Sequence, residues 1–189
     1  MLIVKKGGHR DLERYYSLFE IDFDKKELLP KLSIHRALSR GDQELLLFLD
    51  EESQLVLAYA LVGTRSLYGY VLLKYFGVLP WYRGHGIGVE AMRLINRRYA
   101  DRQGILAELT VFEDKEDGYR RKLRRFFARF GDVDVACDYR LGGAQADLMV
   151  KPLQSSAEIA PVAHRILQDF YGRWLSPASV SRMIDIRPV

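Results

Sequence analysis

The sequence predicts an α+β fold. It is layered α/β/α around a mixed, mostly antiparallel sheet of about seven strands, with a central parallel pair and helices at its C-terminal end. Three observations carry this. Apolar runs at 44–49, 55–62 and 67–78 are joined by short polar segments, the pattern of an antiparallel meander. The third run enters a glycine-rich turn, a helical pattern and another apolar run at 105–112. A strand–helix–strand crossover of that kind returns its second strand parallel to the first. Finally, the last 35 residues carry apolar side chains at helical spacing.

Residues 2–4 form a short first strand, and 9–19 a helix with Leu12, Tyr15, Tyr16 and Phe19 on one side. The stretch 20–24 alternates acids with apolar residues and is too short and acidic for a strand, so a loop is expected. A second helix spans 25–40, with a break at Pro30 and a stop at Gly41. After the three meander strands comes a helix over about 88–102, stopped by Gly104. The strand 105–112 presents Leu106, Glu108, Thr110 and Phe112 on one face and Ala107, Leu109 and Val111 on the other. An acidic loop, 113–117, leads into a helix over 118–130, whose dipole those acids favour. Tyr119, Leu123, Phe126, Phe127 and Phe130 form its apolar stripe, and arginines and a lysine fill the rest. A hairpin follows, 133–140 with 146–151, around Gly142-Gly143. The tail from 155 is read as helical, with Ile159, Val162, Ile166, Leu167, Phe170 and Trp174 on one face and a last short helix at 178–184.

A chain of 189 residues is one domain or a domain with an appendage. The division expected is 1–151 as the principal domain and 152–189 as a helical extension, packed on it or on a partner subunit. The net charge of +4 favours an anionic small partner but is too weak to argue for nucleic acid. One cysteine, Cys137, excludes an internal disulfide and a multi-cysteine metal site, so no metal is expected. No apolar run reaches membrane-span length and the first residues are too short for a signal peptide. A cytoplasmic protein, monomer or homodimer, is the expectation.

The stretch Arg83-Gly84-His85-Gly86-Ile87-Gly88 joins the third meander strand to the next helix. The first amides of a helix lack internal partners and sit at the positive end of its dipole, and glycines let the backbone close on an anion. An ordinary tight turn would use the same glycines, but Arg83 just before them adds a cation suited to phosphate. A dinucleotide fingerprint would need a third glycine at position 89, which is Val89, and would not follow three antiparallel strands.

With Arg83, Gly86 and Gly88 at the spacing of an Arg-x-x-Gly-x-Gly motif, between a meander and a parallel return, residues 1–151 resemble the GNAT superfamily of acetyl-CoA-dependent N-acetyltransferases. Val78, Pro80 and Tyr82 are similar to the family as well. The resemblance implies that the amides of Gly84, His85, Gly86, Ile87 and Gly88 cradle the coenzyme A pyrophosphate. It also implies that Val78 and Leu79 hydrogen-bond the pantetheine arm and thioester, and that strands parting near Val78 and Leu109 admit the cofactor. Arg120, Arg121 or Arg125 would meet the 3′-phosphate. The activity implied is acetyl transfer from acetyl-CoA to a primary amine of a small molecule, peptide or protein, by direct attack in a ternary complex. The alternative is a non-catalytic acyl-CoA-binding or regulatory protein on the same fold.

Phe127 keeps that alternative open, since it stands where many members carry the tyrosine that protonates the thiolate. Tyr119 and Tyr139 are the substitute acids, Tyr119 the first choice. Glu108 is the candidate base, because a carboxylate in mid-strand among apolar neighbours is costly unless it is functional or paired. The strand ending at Val78 offers only Lys74 and Tyr75, and His9, His35 and His164 have no visible partners. Glu20, Asp22 and Asp24, interleaved with Phe19 and Phe23, would suit a cationic amine acceptor.

Overall fold

The computed structural model describes residues 1–110, 117–154 and 158–188, leaving out the side chains of 117, 119, 120 and 188. Among the described residues nine strands form one sheet, in the order β1-β2-β3-β4-β5-β8-β7-β9, with β6 also paired to β8. β1 (Leu2–Gly7), β2 (Gln43–Asp50), β3 (Val56–Gly63) and β4 (Val71–Val78) make the antiparallel meander. β4 and β5 (Gly104–Thr110), linked by α3 (Ile87–Arg98), are the one parallel pair among the described residues. Beyond β5 lie β8 (Ala144–Pro152), β7 (Cys137–Leu141) and the edge strand β9 (Ile184–Pro188).

The helices divide between the two faces of the sheet. On one side Leu12 and Phe19 of α1 (His9–Asp22), Ile34 and Ala37 of α2 (Lys31–Arg40), and α5 (Ala163–Trp174) share a core with Leu45, Leu61, Leu72 and Leu106. On the other, Ala91, Met92 and Ile95 of α3 and Phe127 of α4 (Asp117–Ala128) pack on Leu46, Ala60, Val71 and Ala107. The strand residues alternate between these two lists, as a sheet buried on both faces requires.

Local chemistry sets the ends. α1 starts at Gly8, whose N–H donates to Asp11 at 2.8 Å. It runs through Glu20 and Ile21 to Asp22, so the expected loop begins only at Phe23. Phe19, fully buried, anchors this last turn against the rings of Tyr59 and Tyr75. α2 begins at Lys31, not 25: Pro30 is its N-cap, and 25–29 form a turn-containing connection. Gly41 ends it in the left-handed region, φ 71°, donating back to Ala37 and Leu38.

Two differences lie in the C-terminal third. The stretch read as one strand over 133–140 breaks at Val135–Ala136 into β6 (Val133–Asp134) and β7. The short last helix is α6 (Pro177–Met183), and a ninth strand follows it. Ile184-Asp185-Ile186-Arg187 alternates apolar and charged residues and pairs along β7. A four-residue alternation directly after a helix is easily absorbed into the helical reading. The predicted strand end Val111-Phe112, the acidic residues 113–116 and the tail start at 155–157 lie outside the described residues.

Gly142 and Gly143, φ 58° and 84°, close the β7–β8 hairpin in a two-residue loop. A Cβ on Gly142 would lie 2.4 Å from the Lys26 carbonyl oxygen, so this turn packs directly on the α1–α2 connection. Gly142→Ala is expected to cost on the order of 2 kcal/mol, from left-handed strain plus the forced shift. Gly143→Ala, with open space around its Cβ, should cost less. Thermal melts of the two variants check this, and equal losses would contradict the close packing.

Candidate active site

β4 and β5 pair only at Val71 with Ile105, Leu72 with Leu106 and Leu73 with Ala107. Both strands continue, to Val78 and Thr110, without pairing further. A cleft of about 740 Å³ fills the opening. Its walls are the C-terminal turn of α1 with Glu27 beyond it, the α3 start at Gly88, and Leu123, Phe126 and Phe127 of α4. Lys74 and Glu108 stand at the apex, each one residue past the last paired rung.

One end of the cleft suits an anion. After β4 a short 3-10 turn, Pro80–Tyr82, leads to Arg83 and the glycines. Gly84 and Gly86 take φ of 82° and 78°, and Gly86 is the N-cap of α3. Its carbonyl receives both Val89 N–H, at 3.0 Å, and Glu90 N–H, at 3.1 Å. The five amides from Gly84 to Gly88 have no acceptor among the described residues. Such a row at a helix start, with no side chain on three of five positions, is the geometry a phosphate needs. A Cβ on Gly88 would already touch Val78 and Phe126, at 3.4 and 3.6 Å.

Arg83 reaches sideways. Its Nε donates to the Val78 carbonyl at 2.8 Å and its guanidinium meets Asp22 Oδ1 at 2.7 Å. It thereby ties the end of β4 to the end of α1, while half of its side chain stays exposed. Leu79 donates its amide to the Leu57 carbonyl at 2.9 Å, toward β3. Backbone groups alternate along a strand, so the Val78 amide faces the open side, where β5 has turned away. Of this pair, Val78 has the amide available to a ligand.

The apex is polar and buried. The register against β3 skips Lys74, pairing Leu61 with Tyr75 and Val62 with Leu73, a β-bulge. The bulge turns Tyr75 to the same face as Lys74, whose Nζ lies 5.1 Å from that ring centroid and 5.4 Å from that of Tyr171. It pairs with Glu108 at 2.9 Å, both side chains 1% exposed. Glu108 also accepts the Tyr139 hydroxyl on Oε1 at 2.5 Å and the Tyr171 hydroxyl on Oε1 and Oε2 at 3.0 and 2.9 Å. Burial, then the Glu108 charge, raises both phenols well above the ordinary tyrosine range. They remain donors at any working pH.

A second carboxylate, Glu27, faces the cleft from the α1–α2 connection. It is 8% exposed, and Oε1 accepts the Asp24 N–H at 3.1 Å. Burial raises its carboxyl above the usual range; Lys74 pulls the other way. The buried Tyr75 hydroxyl staples this connection to β4, donating to the Glu27 carbonyl at 3.0 Å and accepting Leu29 N–H at 2.7 Å. Asp22 Oδ2 accepts the Tyr59 hydroxyl at 2.6 Å.

The remaining sequence candidates fall as follows. Tyr119 lies in the first turn of α4, and its side chain, like that of Arg120, is outside the described residues. Arg121 and Arg125 are exposed, as is His85. Phe127 is buried in the cleft wall and Tyr139 is sealed beneath the apex. His9 and His35 do find partners: their rings stack at 5.0 Å and His35 Nε2 meets Glu13 at 2.6 Å, in a surface cluster. Cys137 is half-buried, its thiol pushed up to about 11 by burial, and therefore unreactive at neutral pH. Sequence reasoning missed Glu27 and Tyr171. Nothing local separates Glu27 from its acidic neighbours. Tyr171 carried a signal, four residues after Leu167 on a buried helix face, where a phenol needs a partner.

Residues 11–131 match the model of the acetyltransferase (GNAT) family. No curated protein sequence matches the chain. Among solved structures, a GNAT-family acetyltransferase of Bacteroides thetaiotaomicron aligns with TM-score 0.69 and 14% identity, over 90% of this chain and 98% of its own. The Arabidopsis thaliana NAA60 in complex with acetyl-CoA aligns with TM-score 0.62 and 14% identity, over 82% and 100%. The spermidine/spermine N-acetyltransferase SpeG of Vibrio cholerae aligns with TM-score 0.59 and 11% identity, over 82% and 95%. At these identities the likeness is one of fold, and the family model covers well over half of the sequence. The chain belongs to the GNAT family of acetyltransferases.

Proposed function

We propose that the protein transfers the acetyl group of acetyl-CoA to a primary amine by direct attack in a ternary complex. The observation that carries this reading is the parting of β4 and β5 beside a row of unengaged amides. The amides of Gly84 to Gly88 receive the pyrophosphate. The pantetheine arm runs along the open edge of β4, meeting the Val78 amide, and its thioester reaches the apex at Lys74 and Glu108. The acceptor enters from the side of Asp22, Phe23 and Glu27, where carboxylates and an aromatic ring favour a cationic amine. A structural relative named for spermidine and spermine, and another named for the ribosomal protein S18 alanine, fit an amine acceptor of either size.

A thioester is already activated, so the chain's task is to orient the amine, relieve it of a proton and stabilise the departing sulfur. Phe127 offers no hydroxyl, and no tyrosine lines the cleft among the described residues. This favours Lys74 as the cation facing the leaving thiolate.

The test is a panel of polyamines, peptides with free N-termini and lysine peptides, with thiol release from acetyl-CoA as readout. Calorimetric acetyl-CoA binding is expected, together with thiol release for at least one amine class. Binding without release from any amine would favour the non-catalytic alternative, and no binding would overturn both.

A further inference from the structure

We propose that Glu27 takes the proton from the attacking amine, and that Glu108 is a positioning residue that fixes the Lys74 ammonium at the reacting centre. This rests on the acetyl-transfer reading above.

Two carboxylates border the same apex in opposite company. Glu108 is surrounded by donors: an ammonium at 2.9 Å on Oε2 and two phenols reaching both oxygens. Both of its oxygens are thus already taken by donors of its own surroundings. Glu27 is desolvated but weakly supported. It receives one backbone N–H, from Asp24, and has no ion pair within 4 Å among the described residues. The groups facing it there are Asp24 on its own connection, Lys74 and Tyr75 on β4, and Glu108 and Thr110 on β5. Burial and the nearby Glu108 charge raise its proton affinity; Lys74, Thr110 and Asp24 offset this only in part. A proton acceptor works best when its affinity lies near the working pH.

The step balances as follows. The acceptor reacts as the neutral amine. Its nitrogen attacks the thioester carbon, the N–C bond forms, and one N–H proton passes to Glu27. The C–S bond breaks with its electron pair on sulfur, and the thiolate leaves facing the Lys74 ammonium. Glu27 returns its proton to water, and the thiolate takes one from water. Glu108 takes no proton at any stage.

Glu27→Gln, Glu27→Asp and Glu108→Gln are compared at saturating acetyl-CoA with the best amine of the panel, across pH 5 to 9. Because Glu27 must be ionised to act, the wild-type rate rises with pH through its raised titration point. Glu27→Gln is expected to lower kcat by roughly 10²- to 10⁴-fold, the usual span for a lost general base, and to flatten that acid limb. Glu27→Asp keeps the limb at a reduced rate. Glu108→Gln lowers kcat while leaving the limb in place, and lowers kcat more than it weakens acetyl-CoA binding.

Carbon-13 NMR titration of the glutamate carboxyls in the free protein supplies an independent readout. It should show one signal, missing from Glu27→Gln, titrating above the exposed glutamates. An acid limb that survives Glu27→Gln, or one abolished only by Glu108→Gln, overturns the assignment, as does a Glu27 signal titrating with the exposed glutamates. A wild-type protein that transfers no acetyl group overturns the transfer reading and this assignment with it. An active wild type with unchanged Glu27→Gln overturns this assignment alone.

Discussion

Lys74→Met should be the most damaging single substitution in the sheet. It removes the ammonium 2.9 Å from Glu108 and leaves that carboxylate buried, with only two phenols in support. Breaking a fully buried pair by deleting one partner typically costs about 3–5 kcal/mol. For a chain of this size that lowers Tm by roughly 10 °C. The double variant Lys74→Met/Glu108→Met should recover part of the loss, because it removes the orphaned charge, though Tyr139 and Tyr171 then lack their acceptor. Melting curves of the two variants decide the matter. A single variant within 2 °C of wild type, a margin near 1 kcal/mol, would mean that the apex relaxes or admits water.

Arg83→Glu is the counterpart on the binding side, and acetyl-CoA affinity is expected to fall more than about 100-fold, since opposed like charges cost several kcal/mol. Three effects add. The tie from the guanidinium to the Val78 carbonyl is lost, the new carboxylate faces Asp22, and a negative charge now borders the row of amides offered to a pyrophosphate. Arg83→Ala removes the tie without the repulsion and should lose less. Calorimetry at low and physiological salt measures both variants. An unchanged Kd for Arg83→Glu would remove this loop from the cofactor site.

The parts of the fold that could be read from the sequence are those written in local periods. The meander, the glycine loop and the stripe of α4 each need only a window of about ten residues. What was hidden depends on contacts distant in sequence or on a single irregular residue. Strict alternation from Leu73 would send Tyr75 to the face of α3 and α4, and only the register slip beside it brings that ring to the face that Lys74 shares with Glu108. Tyr171 meets Glu108 across 63 positions of chain. Arg83 reads as a cation for a phosphate, and nothing nearby announces that its first partners are Val78 and Asp22. The amide of Leu79 reads as free until the pairing with β3 is known, and then the choice falls on Val78.

The hydroxyl of Tyr171 also has a practical consequence for anyone cutting the gene. The family match stops at residue 131 and the sheet through β8 at Pro152, so 1–152 looks like a sensible expression fragment. That fragment would lack the phenol shared between both oxygens of Glu108, and the aromatic floor that Phe170 and Trp174 provide beneath Gly63. It would also leave β7 without β9, baring a row of strand N–H and C=O groups ready to recruit another molecule. Truncation there should yield an aggregating product with an altered apex, and affinity handles belong at the N-terminal end.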